Sequence, residues 1–237
     1  NTANESFLRQ DFFEGRRPDE LLVLPEEAAV SSPVGDSPPP GLTGFRGEPL
    51  RDFARAEVRD RMSAALASVR AALGREYPLL IGARAVRTRA TLTVRNPADP
   101  EQVVGRVAAA GPEEVDQAVR VAAEAQPRWA ATPVRERVEC LERAAQLIRE
   151  RRDELAAWTV FEAGKTWREA DVEIVEAIEY LDYYGRLMRD LDGGRALLQL
   201  PGERNSYRYA PRGIAAVIAP WNFPAAILTG MASAALV

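Results

Sequence analysis

The sequence predicts an α/β fold, and three observations predict it. Long amphipathic helical patterns run between residues 112 and 192. Short β-branched segments between 79 and 107 are punctuated by glycine, asparagine and proline. An uncharged β-branched run at 213–219 then passes through a proline-bounded turn into an apolar helical stretch. With 237 residues, 46% of them hydrophobic and 28% charged, the chain has the profile of a globular protein with room for one full domain and pieces of others.

Composition removes several classes of function. A formal net charge of -4 supplies no basic surface of the kind that phosphate-backbone binding needs, so nucleic acid is not an expected partner. Histidine is absent, which excludes Ser-His and Cys-His pairs and imidazole metal sites within these residues, and no metal is expected. The single cysteine, Cys140, allows no internal disulfide and fits a reducing, cytoplasmic setting. Lys165 is the only lysine among 31 basic residues. The chain opens on Asn1 with no signal-like segment and stops inside an apolar run, so both ends read as cuts in a longer protein.

Residues 1–15, with Phe7, Leu8, Phe12 and Phe13, read as the end of a helix belonging to a preceding domain. Residues 16–49 contain Ser31-Ser32-Pro33 and Ser37-Pro38-Pro39-Pro40-Gly41, which sustain neither helix nor central strand, and are expected to be a linker. From 50 to 75, Leu50, Phe53, Val58, Met62, Ala65, Leu66 and Val69 follow helical spacing up to Gly74. Extended segments are expected at 79–86, 91–94 and 103–107, as hairpin or edge strands, with Gly82, Asn96-Pro97 and Pro100 between them.

Three helices follow. The first, 112–126, lines up Val115, Ala118, Val119 and Ala122 before Pro127 breaks or kinks it. The second starts at Thr132-Pro133 and runs to Gly164, with Val134, Val138, Leu141, Ala145, Ile148, Leu155 and Trp158 on its apolar face. Thr166 and Glu169 form a capping box for the third, which buries Ala170, Ile174, Ala177, Ile178, Leu181 and Met188 and closes at Gly193-Gly194. Residues 196–210 suggest another hairpin, and 213–219 reads as a buried parallel strand leading to a core helix at 225–237. Residues 213–237 carry no charge over a length that could span a bilayer, but Pro220, Asn222 and Pro224 split the run, so no transmembrane segment is expected.

A buried strand ending at Pro220 puts Trp221, Asn222 and Phe223 where open α/β sheets bind ligands. The Asn222 amide N–H could stabilise an oxyanion as a carbonyl is attacked, and Phe223 offers an apolar wall. The alternative is a rigid strand-to-helix connection in which Asn222 caps the helix. Glu162 is a carboxylate in the last turn before Gly164, where it opposes the helix dipole. Either it faces a ligand or it is a solvated helix-end residue relieved by Lys165. Cys140 sits between Glu139 and Glu142, which disfavour a thiolate, and reads as structural.

Residues 213–224, with Pro220-Trp221-Asn222-Phe223-Pro224, resemble the first strand and turn of the cofactor domain of aldehyde dehydrogenases, which bind NAD without a Gly-x-Gly-x-x-Gly loop. Asn96-Pro97, the helical patterns at 112 and 135–154, and Phe161-Glu162-Ala163-Gly164-Lys165 extend the resemblance over Tyr77 to Val237. It implies the N-terminal part of an aldehyde dehydrogenase fold, with hairpin strands used for oligomerisation and the first strand-turn-helix of a Rossmann-like cofactor domain. Asn222 would be the catalytic oxyanion amide and Phe223 would line the aldehyde tunnel. Ile218, Ala219, Pro220 and Trp221 would lie against NAD. Residues 165–171 and Tyr180 to Tyr184 look like those of pyrroline-5-carboxylate dehydrogenases, which oxidise L-glutamate γ-semialdehyde to glutamate, and Glu162 would then meet the substrate ammonium. Residues 1–9 resemble the end of the proline dehydrogenase half of bifunctional proline utilization A, which would carry FAD. The family's attacking cysteine would fall beyond Val237, so these residues alone are not expected to turn over substrate. Another aldehyde dehydrogenase, or a non-catalytic oligomerisation module, are the alternatives.

Overall fold

The hydrophobic spacing between 50 and 192 folds into helices laid against a small sheet, as a computed structural model that describes residues 45–237. The expectations for residues 1–15 and for most of the linker lie outside the described residues. The helices are α1 (Ala56–Ala72), α2 (Pro112–Ala131), α3 (Val134–Glu150), α4 (Arg152–Ala163), α5 (Trp167–Asp192) and α6 (Ala226–Leu236). The strands are β1 (Arg75–Tyr77), β2 (Leu79–Ile81), β3 (Arg84–Val86), β4 (Thr91–Asn96) and β5 (Asp99–Ala108).

β5 is the central strand of a three-stranded sheet, parallel to β1 and antiparallel to β4. The β4–β5 turn is set by Asn96, whose Oδ1 accepts from the Ala98 N–H at 2.9 Å while its Nδ2 donates to Gln102 Oε1 at 2.9 Å. β2 and β3 form a separate hairpin around Gly82, which needs its positive φ of 59° for the turn. The parallel strand β1 is too short to leave a periodic signal, so the sequence pattern misses it.

One core joins α1 (Met62, Val69), β5 (Val104), α3 (Leu141, Ala145), α4 (Ala156, Ala157, Phe161) and α5 (Ala170, Ile174, Ile178, Leu181). The residues from α1, α3 and α5 are positions that the helical spacing assigns to buried faces, whereas α4 buries Ala156, Ala157 and Phe161 and leaves the expected Leu155 and Trp158 at the edge of the core. Phe53 and Leu66 pack at its edge, whereas Leu50 is exposed and precedes the helix. Thr166 and Glu169 cap α5 reciprocally: the Glu169 N–H donates to Thr166 Oγ1, and Glu169 Oε2 accepts from the Thr166 N–H at 3.1 Å.

Several elements depart from the sequence pattern. The helix expected from 133 to 164 is two helices, because the backbone leaves helical geometry at Arg151 (φ -105°, ψ 16°) and the next residue, Arg152, turns its side chain inward. No proline or glycine marks that break. Pro127, expected to break or kink the first of these helices near residue 126, does not end it but lies inside α2, and the turn beyond it is held by the Trp129 indole N–H donating to Leu236 O at 2.8 Å. The expected α2 stripe is exposed, with Val115 at 52% and Val119 at 51%, while Val121 meets the β2–β3 turn.

The hairpin expected at 196–210 is reduced to one antiparallel bridge, Arg195 to Tyr207. Residues 213–219 form no strand, and Ile214 and Ile218 are exposed. A parallel strand has no local partner and forms only against a sheet brought in by a crossover connection. No such sheet lies beside 213–219 among the described residues. Of the helices described, none is long and apolar enough to cross a membrane.

Residues 45–53 are fastened to α3, α4 and α5 mainly by charge. Arg152, with its side chain 4% exposed, pairs in bidentate fashion with Asp171, 3% exposed, at 2.7 and 2.8 Å. Asp171 also accepts from the Arg51 N–H at 2.8 Å, and Arg152 donates to Pro49 O at 2.9 Å. Arg149 bridges Glu48 and Asp182, and Glu179 accepts from the Glu48 N–H. Replacing Arg152 by alanine strands a buried carboxylate, and urea unfolding is expected to show a loss of about 3–5 kcal/mol. The paired change of Arg152→Met with Asp171→Leu is expected to recover most of that loss.

Candidate functional site

The site begins with the end of α4. Gly164 closes that helix in the left-handed region (φ 67°), and a Cβ there would stand 2.9 Å from Pro97 Cγ. Glycine therefore lets the β4–β5 turn press against the helix end. This fixes the directions taken by Glu162 in the last turn and by Lys165 just after it.

Lys165 does not relieve Glu162. Its Nζ lies 2.5 Å from Glu173 Oε2, on α5, and 3.5 Å from the centroid of the Phe223 ring. One cation thus joins a buried carboxylate to the face of an aromatic ring. Glu173 has no exposed side-chain surface, and its other oxygen, Oε1, accepts from the Ala225 N–H at 2.7 Å and, more weakly, from the Ala226 N–H at 3.4 Å. These are free N–H groups at the start of α6, where the helix dipole favours a negative charge.

Asn222 does not cap α6. The N-terminus of α6 has no side-chain cap of its own. Its donors are met by Glu173, from another helix, so Asn222 is spared that task and its side chain is exposed on the turn. Glycine at 230 lets α6 lie close against α5, since a Cβ there would stand 2.8 Å from the Tyr180 ring. Tyr180 is itself held by its hydroxyl donating to Glu176 and by stacking on Tyr184.

Glu162 keeps contact with solvent and lines a cleft of about 480 Å³ with Arg75, Tyr77, Trp158 and Val104. Surrounding atoms and the negative charge of Glu173 together raise its carboxyl above the ordinary glutamate range. Its relation to Phe223 therefore runs through Glu173 and Lys165. Glu173 itself escaped the sequence reading. The available signal was an acid next to Ile174 and three residues after Ala170, on the face otherwise read as apolar.

Ile218 and Trp221 are 84% and 86% exposed, and Ala219 and Pro220 lie between them on a segment with no strand partner. No glycine-rich phosphate loop accompanies it in the sequence. Cys140 belongs elsewhere, in an apolar groove lined by Trp129, Leu181 and Leu228, where its sulfur accepts from Arg143 at 3.6 Å.

Residues 85–237 match the model of the aldehyde dehydrogenase family. A curated 1-pyrroline-5-carboxylate dehydrogenase of Geobacillus thermodenitrificans is 46% identical over 193 residues, which are 81% of this chain and 38% of that protein. The chain therefore spans 38% of the length of that relative. A 1-pyrroline-5-carboxylate dehydrogenase from Thermus, solved with bound NAD, superposes with a TM-score of 0.78 at 41% identity, over 81% of this chain and 38% of that one. Proline utilization A from Bdellovibrio bacteriovorus superposes with a TM-score of 0.79 at 38% identity, over 98% of this chain and 24% of that one.

The raised carboxyl of Glu162 sets a test of its surroundings. A folded-state pKa above the unfolded one contributes stability that is full below the unfolded value and is lost as pH rises through the folded value. Glu162→Gln is therefore expected to raise the thermal midpoint at pH 7, and the gain should shrink towards zero as pH falls below the ordinary glutamate value of 4.5.

Proposed function

The chain belongs to the aldehyde dehydrogenase family, and from that premise we propose that it forms part of an NAD-dependent pyrroline-5-carboxylate dehydrogenase, oxidising L-glutamate γ-semialdehyde to L-glutamate in proline breakdown. The observation that carries the substrate assignment is Glu162, an exposed carboxylate on a cleft, without the lysine expected to relieve it and with its carboxyl raised by the atoms packed around it and by the charge of Glu173. A substrate ammonium group beside it offsets that charge, and glutamate γ-semialdehyde brings one.

Within this reading Asn222 is the catalytic amide, with its N–H directed at the oxygen on which negative charge develops as the aldehyde is attacked. Phe223, steadied by Lys165, is the apolar wall of the aldehyde passage. Ile218, Ala219, Pro220 and Trp221 would lie against NAD, which when bound accepts the hydride from the aldehyde carbon. Cys140 takes no part in the chemistry.

We further assign residues 1–15 to the end of a preceding proline dehydrogenase-like domain, which would hold FAD, and 16–49 to a linker. The support is that proline utilization A matches 98% of the chain, against 81% for the Thermus dehydrogenase. Leu198, at 80% exposure, with Leu200 and Tyr207, supports a homo-oligomer formed through the 196–210 segment. The compartment we assign is the cytoplasm, on the single cysteine.

Steady-state kinetics on the full-length protein tests the two site assignments separately. Glu162→Ala is expected to raise KM for glutamate γ-semialdehyde by about tenfold or more, as the loss of a charge-assisted contact implies, with little effect on an aldehyde of equal length lacking the amino group. Equal effects on both aldehydes would point to another aldehyde dehydrogenase substrate. Asn222→Ala is expected to lower kcat by about 10²–10³ while leaving the fold intact.

A further inference from the structure

We infer that Glu173 is a positioning residue for the oxyanion amide, acting with Lys165 to set where the Trp221-Asn222-Phe223-Pro224 turn stands. The inference rests on the proposed role of Asn222. Glu173 is fully buried, and its side-chain hydrogen bonds among the described residues all go to groups that touch or adjoin that turn. One oxygen holds the Ala225 and Ala226 N–H groups, directly after Pro224, and the other holds Lys165, whose Nζ lies on Phe223, directly after Asn222. The turn is thus gripped on its main chain from one side and on its ring from the other, by the two ends of one ion pair.

Pro220 and Pro224 restrict the backbone of the turn, Trp221 and Asn222 on it are exposed, and α6 has no side-chain cap of its own, so Glu173 and Lys165 tie the turn to α5 and to the end of α4. An oxyanion donor works only when it is already in place, and an error of about 1 Å in its position can cost about 10²-fold in rate. A buried carboxylate is a stiff anchor, because moving it would strand its charge.

Glu173→Gln keeps one acceptor oxygen and loses the charge, Glu173→Ala loses both, and Lys165→Met leaves the carboxylate with the helix N–H groups alone. In the full-length protein, kcat at a temperature where each variant is folded is expected to fall about 10²-fold for Glu173→Ala, with kcat/KM falling in parallel. Glu173→Gln should fall less. Lys165→Met should fall and be partly rescued by adding Glu173→Gln, which restores charge balance. A crystal structure of Glu173→Ala should show the turn displaced, with the separation at 225–226 and the 3.5 Å approach of Lys165 to Phe223 both changed.

A merely structural Glu173 would lower the melting temperature and leave kcat of the folded variants within about twofold of the parent, which overturns the inference. Asn222→Ala measured in parallel separates the two claims. A loss in Asn222→Ala with none in Glu173→Ala overturns the positioning role and leaves the amide assignment standing. No loss in Asn222→Ala removes both.

Discussion

A carboxylate buried without solvent must be met by donors on all sides, and in this chain that requirement is concentrated on Glu173. Its partners come from the residue after α4, through Lys165, and from the start of α6, through Ala225 and Ala226. Removing any one of them would leave charge or N–H groups stranded in a medium that solvates them poorly. Three segments of chain are thereby brought to one point, and the turn carrying Asn222 and Phe223 is the loop that leaves it.

The same logic operates two residues earlier, at Asp171. There the donors are Arg152 from α4 and the Arg51 N–H from the segment before α1, and Pro49 O is drawn in by Arg152. Two acids in the first half of α5 thus organise different halves of the molecule. Asp171 ties down residues 48–51, and Glu173 ties down the α6 end. Between them Ala170, Ile174 and Ile178 supply the apolar contact that makes α5 part of the shared core. Apolar packing holds the helices together without choosing the direction of a loop, whereas hydrogen-bonded charge is directional and does so.

The electrostatics of Glu162 follow from this arrangement. Because Glu173 engages the only lysine, the acid at the end of α4 is left beside a negative neighbour, and the atoms packed around it together with that charge raise its carboxyl. An acid left in that state suits a cationic ligand group. Glu173 joins the end of α4 to the start of α6, bonded to Lys165 on one side and to the Ala225 N–H on the other.

The sequence by itself determined the local elements. Helical spacing identified the buried faces of α1, α3 and α5, the Thr166 and Glu169 pattern identified the α5 cap, and Asn96-Pro97 identified the β4–β5 turn, since each depends on neighbours a few residues apart. The chemistry that histidine would have brought was excluded by its absence, and Glu162, Asn222 and Phe223 could be singled out from their places in the pattern. Tertiary structure alone decided partners. Lys165 pairs with Glu173 rather than Glu162, Glu173 caps a helix 52 residues away, Trp129 holds α2 beyond Pro127, and α4 starts afresh so that Arg152 can reach Asp171. None of these is legible in a window of sequence, because the donor that satisfies a buried charge is chosen by which chain segments the core brings together. Residues 213–219 show the converse: their β-branched run is a preference for a strand, and a strand exists only where a neighbour supplies its hydrogen bonds.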